Sequence, residues 1–246
     1  MPDGTQRTCL IMGAGIGLGS GLARAFAAEG LTVCLARRAR NLPELETLAE
    51  EVRGTGGTAH AFGVDARDEA EVAALIDRIE ADIGPLEVVI FNIGANVRFS
   101  IRDTTARVFR KVWEMATFAG FLTGREAARV MVPRGCGTII FTGATASVRG
   151  SAGFAAFASA KHGLRALAQS MARELAPEGV HVVHTVIDGL VDGKFARENF
   201  ADVAERSAED RILSPDDIAQ SYVALWRQPR SAWTHELDLR PWTETF

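Results

Sequence analysis

The sequence predicts one doubly wound α/β domain, a seven-stranded, mostly parallel sheet with helices on both faces. Three observations predict it. Short runs of four to seven apolar residues alternate with longer amphipathic runs, the pattern of strands buried on both faces between covering helices. The first such run leads straight into a glycine cluster that opens a helix. No internal repeat or low-complexity linker divides the 246 residues, a length that one well-buried core can fill.

Strands are expected at 8–12 (TCLIM), 31–36 (LTVCLA), 58–64, 86–92, 137–142, 180–186 and 235–239. Each is too short, and most are too uniformly apolar, for a surface helix. Helices are expected at 17–29, 43–53, 68–82, 104–131, 153–176 and 215–227, where polar and apolar residues share longer runs. Residues 188–213 fit neither class, being polar and charged between a strand and a helix. They are read as either a mobile flap over a site or a plain surface excursion. The whole chain, 1–246, is taken as a single domain.

Composition excludes several functions. Apolar residues make up 47% and charged residues 24%, which argues against a disordered chain. A net charge of −4 argues against a nucleic-acid binder. The cluster of Arg98, Arg102, Arg107 and Arg110 is therefore read as a solvated helix face. The N-terminal MPDGTQRTCLIMGAG lacks the shape of a signal peptide, and no run approaches 18 apolar residues. The expectation is a cytoplasmic protein with no membrane partner. Cys9, Cys34 and Cys136 lie in β-like runs without CxxC spacing, so buried reduced thiols are expected and a metal site is not.

After TCLIM the chain reads GAGIGLGSGLARAFAAEG, with Gly13, Gly17 and Gly19 spaced G-x-x-x-G-x-G. Glycine lets the backbone turn tightly against a pyrophosphate, and the helix N-terminus that follows offers N–H donors and a positive dipole end. Strand, turn and helix arrive in the order that a Rossmann-type dinucleotide site needs. Gly15, Ile16 and Leu18 complete the turn. The second strand ends in Arg37 and Arg38, where an NAD site would offer a carboxylate to the ribose hydroxyls. Two guanidiniums favour a ribose 2′-phosphate instead, so the expected cofactor is NADP(H).

With these residues the chain resembles the short-chain dehydrogenase/reductase family over nearly its whole length. Asp65 in GVDAR, followed by Ala66, is similar to the family's adenine contact. FNIG, with Asn92, Ile93 and Gly94, is similar to its N-N-A-G motif. GTIIFTGATAS and GFAAFASAKHG follow its active strand and active helix. The resemblance implies a cofactor-facing Lys161 and contacts from Asp188 and Gly189 near the nicotinamide. It also implies a homodimer or homotetramer built on the long helices, with Trp233 and Trp242 as further contact candidates.

The departures concentrate on the chemistry. The family tetrad is Asn, Ser, Tyr and Lys; here Ala116, Ala144 and Phe157 stand in the first three positions. The chain thus resembles a divergent subgroup carrying Phe in place of the active-site Tyr. Met12 precedes the first glycine in place of the usual Thr, while Asp188 and Gly193 replace a Pro and a Thr. Phe154 fills the slot of the longer Y-x₆-K spacing, and the only tyrosine, Tyr222, lies in a late amphipathic helix with an expected packing or subunit-contact role.

The expected site is therefore a wall of Ala116, Ala144, Phe154 and Phe157 around Lys161, with Thr145 as a catalytic candidate. A desolvated Lys161 is a better acid near neutral pH, although a purely structural ribose clamp fits equally well. Thr142 and Thr145 end a strand at the site's edge; His162 points off the lysine's face, and His184 reads as a core histidine. Two functions fit this pattern. One is an NADP-dependent oxidoreductase acting on a small apolar carbonyl, enone or imine without a tyrosine. The other is a catalytically silent nucleotide-binding sensor or interaction protein. An isomerase or lyase on the same fold is a third, lesser alternative.

Overall fold

Seven strands form one sheet in the order β3-β2-β1-β4-β5-β6-β7, every neighbouring pair parallel. They are β1 Thr8–Met12, β2 Thr32–Arg37, β3 Thr58–Gly63, β4 Leu86–Phe91, β5 Gly137–Thr142, β6 Val180–Ile187 and β7 Glu236–Leu239. The computed structural model describes residues 7–245; residues 1–6, the start of the N-terminus read as lacking a leader, lie outside. The central strands β1, β4 and β6 are buried almost throughout, which is why their sequences are continuous apolar runs.

Among the described residues, nine α-helices connect the strands: α1 Leu18–Ala28, α2 Leu42–Gly54, α3 Glu69–Asp82, α4 Ala106–Trp113, α5 Ala119–Met131, α6 Ala155–Leu175, α7 Lys194–Asn199, α8 Val203–Ala208 and α9 Pro215–Trp226. On one face α1, α2 and α9 pack Leu22, Phe26, Leu45, Leu48 and Tyr222 against the sheet. On the other face α3, α5 and α6 contribute Ile76, Leu122, Leu164 and Met171. α9 crosses α1 at Gly21, where a Cβ would fall 2.6 Å from the Pro215 carbonyl oxygen.

The expected helix over 104–131 is interrupted. Glu114–Phe118 form a π-helical turn between α4 and α5, and Thr117 donates from it to the Ala160 carbonyl of α6 at 2.7 Å. The extra residue leaves hydrophobic periodicity on either side intact. Residues 188–213 are not an irregular excursion, because α7 and α8 close over Ala196, Val203 and Ile212, and Val191 bridges to Leu213. No described helix is long and apolar enough to cross a membrane.

Cys9 and Cys34 are buried, and burial pushes both thiols up, Cys34 to about 12. Cys136 is only half-buried, because it sits in the turn before β5 and not within the strand. Among the described residues no cluster of side chains could hold a metal ion. Arg98, Arg102, Arg107 and Arg110 are all exposed, but only Arg107 and Arg110 lie on a helix, α4; Arg98 and Arg102 sit in the irregular segment before it, so the four do not form one helix face. Trp233 is not exposed: it stacks on His181 with ring centroids 4.8 Å apart, whereas Trp242 stays on the surface.

Candidate active site

The strand order reverses beside β1, so β1 and β4 diverge at their C-terminal ends and open a crevice. Gly13 turns the chain there at φ 100°, and a Cβ on it would lie 2.6 Å from the Asn92 carbonyl oxygen. Asn92 ties the turn down, donating its backbone N–H to Met12 at 2.8 Å and its side-chain amide to Gly13 at 3.2 Å. Gly17 follows at φ 114°, and Gly19 packs so closely on Ala14 that a Cβ would stand 2.8 Å from its Cα. No side chain caps α1; its Ser20 and Gly21 N–H groups donate to the Gly15 and Gly17 carbonyls, and Leu18 and Gly19 open the helix at the crevice. This cradle, which any Cβ would fill, fits a pyrophosphate. Gly15, Ile16 and Leu18 line it, and Lys194 and Phe195 of α7 stand opposite.

Beyond the cradle is a recess of about 200 Å³ lined by Arg38, Asp65, Ala66, Arg67, Asn92, Ile93 and Gly94. Asp65 is there, but its carboxylate is gripped by Arg67 through Nε at 2.9 Å and Nη2 at 2.5 Å. Those hydrogen bonds hold its carboxyl below the ordinary range. The two strand-end arginines differ. Arg37 lies over Gly15 and pairs with Glu44 at 2.9 Å. The Arg38 guanidinium has no hydrogen bond or ion pair to any described residue. Burial, then the charges of Arg40 and Arg67, make its guanidinium easier to deprotonate, the mark of a positively charged corner. Arg67 was missed by sequence reasoning, though it follows Asp65 by only two residues.

The opposite end is a cleft of about 520 Å³. Lys161 reaches its floor from α6, and its Nζ donates to the carbonyls of Thr142 at 2.8 Å and Ile93 at 3.2 Å. Burial pushes its ammonium down to about 8. Phe157, one helical turn earlier, and Phe154 form one wall, the latter beneath the Arg98 guanidinium 5.9 Å from its ring. Ala144 and Thr145 form another. Ala116 does not line the cleft: the π-helical turn buries it beneath Phe157, so it is removed from the expected wall.

Thr145 donates to Asp188 at 2.5 Å. That carboxylate is therefore turned beneath the cleft floor, outside the lining, while Gly189 lines the cleft at φ 152° with Pro241 behind it. Tyr222 is fully buried, its hydroxyl against Thr142 Oγ1 at 3.0 Å and Thr185 Oγ1 at 2.5 Å, and burial pushes it up to about 12. It packs within its own chain and makes no subunit contact. His162 is exposed, off the lysine's face. His184 lies behind Gly143 with Nδ1 3.0 Å from Glu236; burial, only partly offset by that carboxylate, pushes it down to about 4. Chemically, the cleft offers an amine donor at Lys161, a hydroxyl at Thr145, an apolar wall of Ala144, Phe154 and Phe157, and polar lining from Asn96, Ser151 and Lys194. Arg149, which also lines it, carried no signal in the sequence.

A family profile described as short chain dehydrogenase matches residues 7–204. A crystal structure of a short-chain dehydrogenase from Rhodopseudomonas palustris is 49% identical and covers 96% of this chain and 99% of its own, with a TM-score of 0.82. The cis-4-hydroxycyclohexanecarboxylate dehydrogenase of Sinomonas cyclohexanicum is 29% identical over 225 residues, 89% of each chain. The actinorhodin polyketide ketoreductase, crystallised with NADPH, is 24% identical over 96% of each chain and shares the fold at a TM-score of 0.85.

Proposed function

This chain belongs to the short-chain dehydrogenase family, and we propose that within it the protein is an NADP(H)-binding oxidoreductase that works without an active-site tyrosine. The observation that carries this reading is Lys161, an amine buried at the foot of an apolar cleft that runs on into the glycine cradle. A silent scaffold needs no such amine.

When bound, NADP(H) supplies or accepts the hydride. Gly13, Gly15, Ile16, Gly17, Leu18 and Gly19 would hold its pyrophosphate; Asp65 and Ala66 its adenine; Asn92, Ile93 and Gly94 the adjoining ribose; Lys161 and Gly189 its nicotinamide end. Arg38, supported by Arg40 and Arg67, would meet a ribose 2′-phosphate, with Arg37 a weaker contributor because Glu44 already pairs with it.

Two of the three N–H bonds of a protonated Lys161 are spent on carbonyls, leaving one for a substrate oxygen or a bridging water. Thr145 directs its own proton at Asp188, so toward the cleft it accepts a hydrogen bond. Phe154, Phe157 and Ala144 exclude water but hold no proton. This suits a small apolar carbonyl, enone or imine. Residues 188–213 are read as a flap over the cofactor, with Gly193 seated on Gly17: a Cβ on Gly193 would lie 3.3 Å from the Gly17 Cα.

A homodimer or homotetramer in the cytoplasm completes the reading. Its support is the stacked series Trp113, Phe118 and Phe121 along α4 and α5, with Trp113 and Phe121 exposed. The silent alternative is favoured by one observation, that Ala144 and Phe157, which line the cleft, bring no hydroxyl to it and Ala116 is buried outside it. Titration with NADPH and NADH, followed by a screen of ketones, enones and imines for NADPH oxidation, separates the two. Binding without turnover across the panel favours the silent reading. Equal affinity for NADH removes the NADP assignment.

A further inference from the structure

Three cations line the cleft, Lys161, Lys194 and Arg149, and no aspartate or glutamate does. Lys161 is committed to two carbonyls. Lys194 also borders the glycine cradle and approaches Glu198 at 4.0 Å, which assigns it to the cofactor's phosphate side. Arg149 stands apart from both. It lies in the loop that leads from the 3₁₀ turn Thr145–Ser147 into α6, and its guanidinium has no hydrogen bond or ion pair to any described residue. Asp188, the carboxylate beneath the floor, is already taken by Thr145 and faces Arg240 at 3.7 Å.

We propose that the substrate carries a carboxylate held by Arg149, on a compact apolar body that fills the space between Phe154 and Phe157. This rests on reading the chain as an oxidoreductase. Arg149 is itself exposed at the cleft mouth, so a neutral substrate leaves it to solvent with no role in binding, and a cationic one meets three like charges and no acid. One planar guanidinium matches the two oxygens of a carboxylate, whereas a phosphate dianion calls for a second cation. The apolar body contributes through burial against the two rings, and the carboxylate fixes which end of the molecule faces Lys161.

The test uses full-length protein, with and without saturating NADP⁺, titrated calorimetrically with benzoate and phenylacetate and with the corresponding neutral amides. The acids are expected to bind about tenfold tighter or better, a difference of about 1.4 kcal/mol. The preference should shrink as salt is raised. Arg149→Gln should bring the ratio close to one while NADPH still binds, which shows the variant to be folded. Equal affinity for acid and amide, no binding of any acid, or a preference that survives in Arg149→Gln overturns the proposal. Loss of the oxidoreductase reading looks different: NADPH then binds but is not oxidised with any ketone, enone or imine, while the acid preference can still be read by calorimetry.

Discussion

Thr145 donates its hydroxyl proton to Asp188 across 2.5 Å, joining the segments that follow β5 and β6. Asp188 stands where the family resemblance placed a proline. Asp188 is only 4% exposed, and its other oxygen lies 3.7 Å from Arg240. A buried carboxylate needs such partners, because an unpaired one is strongly disfavoured. The arrangement also sets the polarity of the cleft. Thr145 can accept a hydrogen bond from a group in the cleft, but it cannot donate to a carbonyl while its bond to Asp188 stands.

Thr145→Val removes the donor and leaves a buried carboxylate oxygen to Arg240 alone. The expected loss is about 1–3 kcal/mol of stability. In a chain of this size, thermal unfolding should fall by about 2–4 °C for each kcal/mol. Thr145→Ser should restore most of it. An unchanged Tm in the valine variant would mean that the contact contributes nothing.

Lys161 gives the fold a pH dependence of its own. Burial lowers its ammonium from 10.5 to about 8. Below about 8 both folded and unfolded chains are protonated, and the folded one bears the cost of a buried charge. Between about 8 and 10.5 the folded chain has released the proton while the unfolded one retains it, so stability rises with pH across that window. The full gain is about 3 kcal/mol. Urea midpoints measured from pH 7 to 10 should climb in the native protein and climb less in Lys161→Met, and parallel curves would contradict the depressed pKa.

The sheet and its cofactor end were readable because they rest on local pattern. TCLIM, LEVVIF and VHVVHTVI are buried on both faces, so composition alone marks them within a residue of their ends. Gly13 and Gly19 were readable because close backbone approach permits no side chain there. The reaction end depended on pairings between distant residues. Thr145 and Asp188 are 43 positions apart, and nothing in either segment announces the other. The π-helical turn that buries Ala116 leaves the apolar stripe of 104–131 intact on both sides. Glu44, which neutralises Arg37, is seven residues away across a strand, a turn and a helix start.

The inequality of Arg37 and Arg38 predicts unequal effects on cofactor binding. Arg38→Ala should weaken NADPH about tenfold or more, the magnitude of a charge-assisted hydrogen bond, and leave NADH within a factor of about two. Arg37→Ala should cost less, because its guanidinium is already shared with Glu44 at 2.9 Å. Fluorescence titration with both nucleotides measures this directly. The opposite ranking would place the phosphate over Gly15 instead of in the recess beside Asp65.

Phe157→Tyr combined with Ala144→Ser offers the sharpest test of the cleft. Both native side chains line it, and Phe157 precedes Lys161 by one helical turn on the same face. A tyrosine hydroxyl would extend from the ring into the cleft, near an amine already depressed to about 8. The serine would add a second polar group beside it. A positioned general acid is worth about 10²–10⁴-fold, so reduction of a simple ketone by NADPH should rise within that range over the native rate. The single Phe157→Tyr variant should show part of the gain, because its phenol would still lack a serine partner. A double variant that binds NADPH as tightly as the native protein yet shows no rise would locate the defect elsewhere. The cleft would then fail to orient a carbonyl over the cofactor, and the missing proton donor would be a consequence of a lost activity instead of its cause.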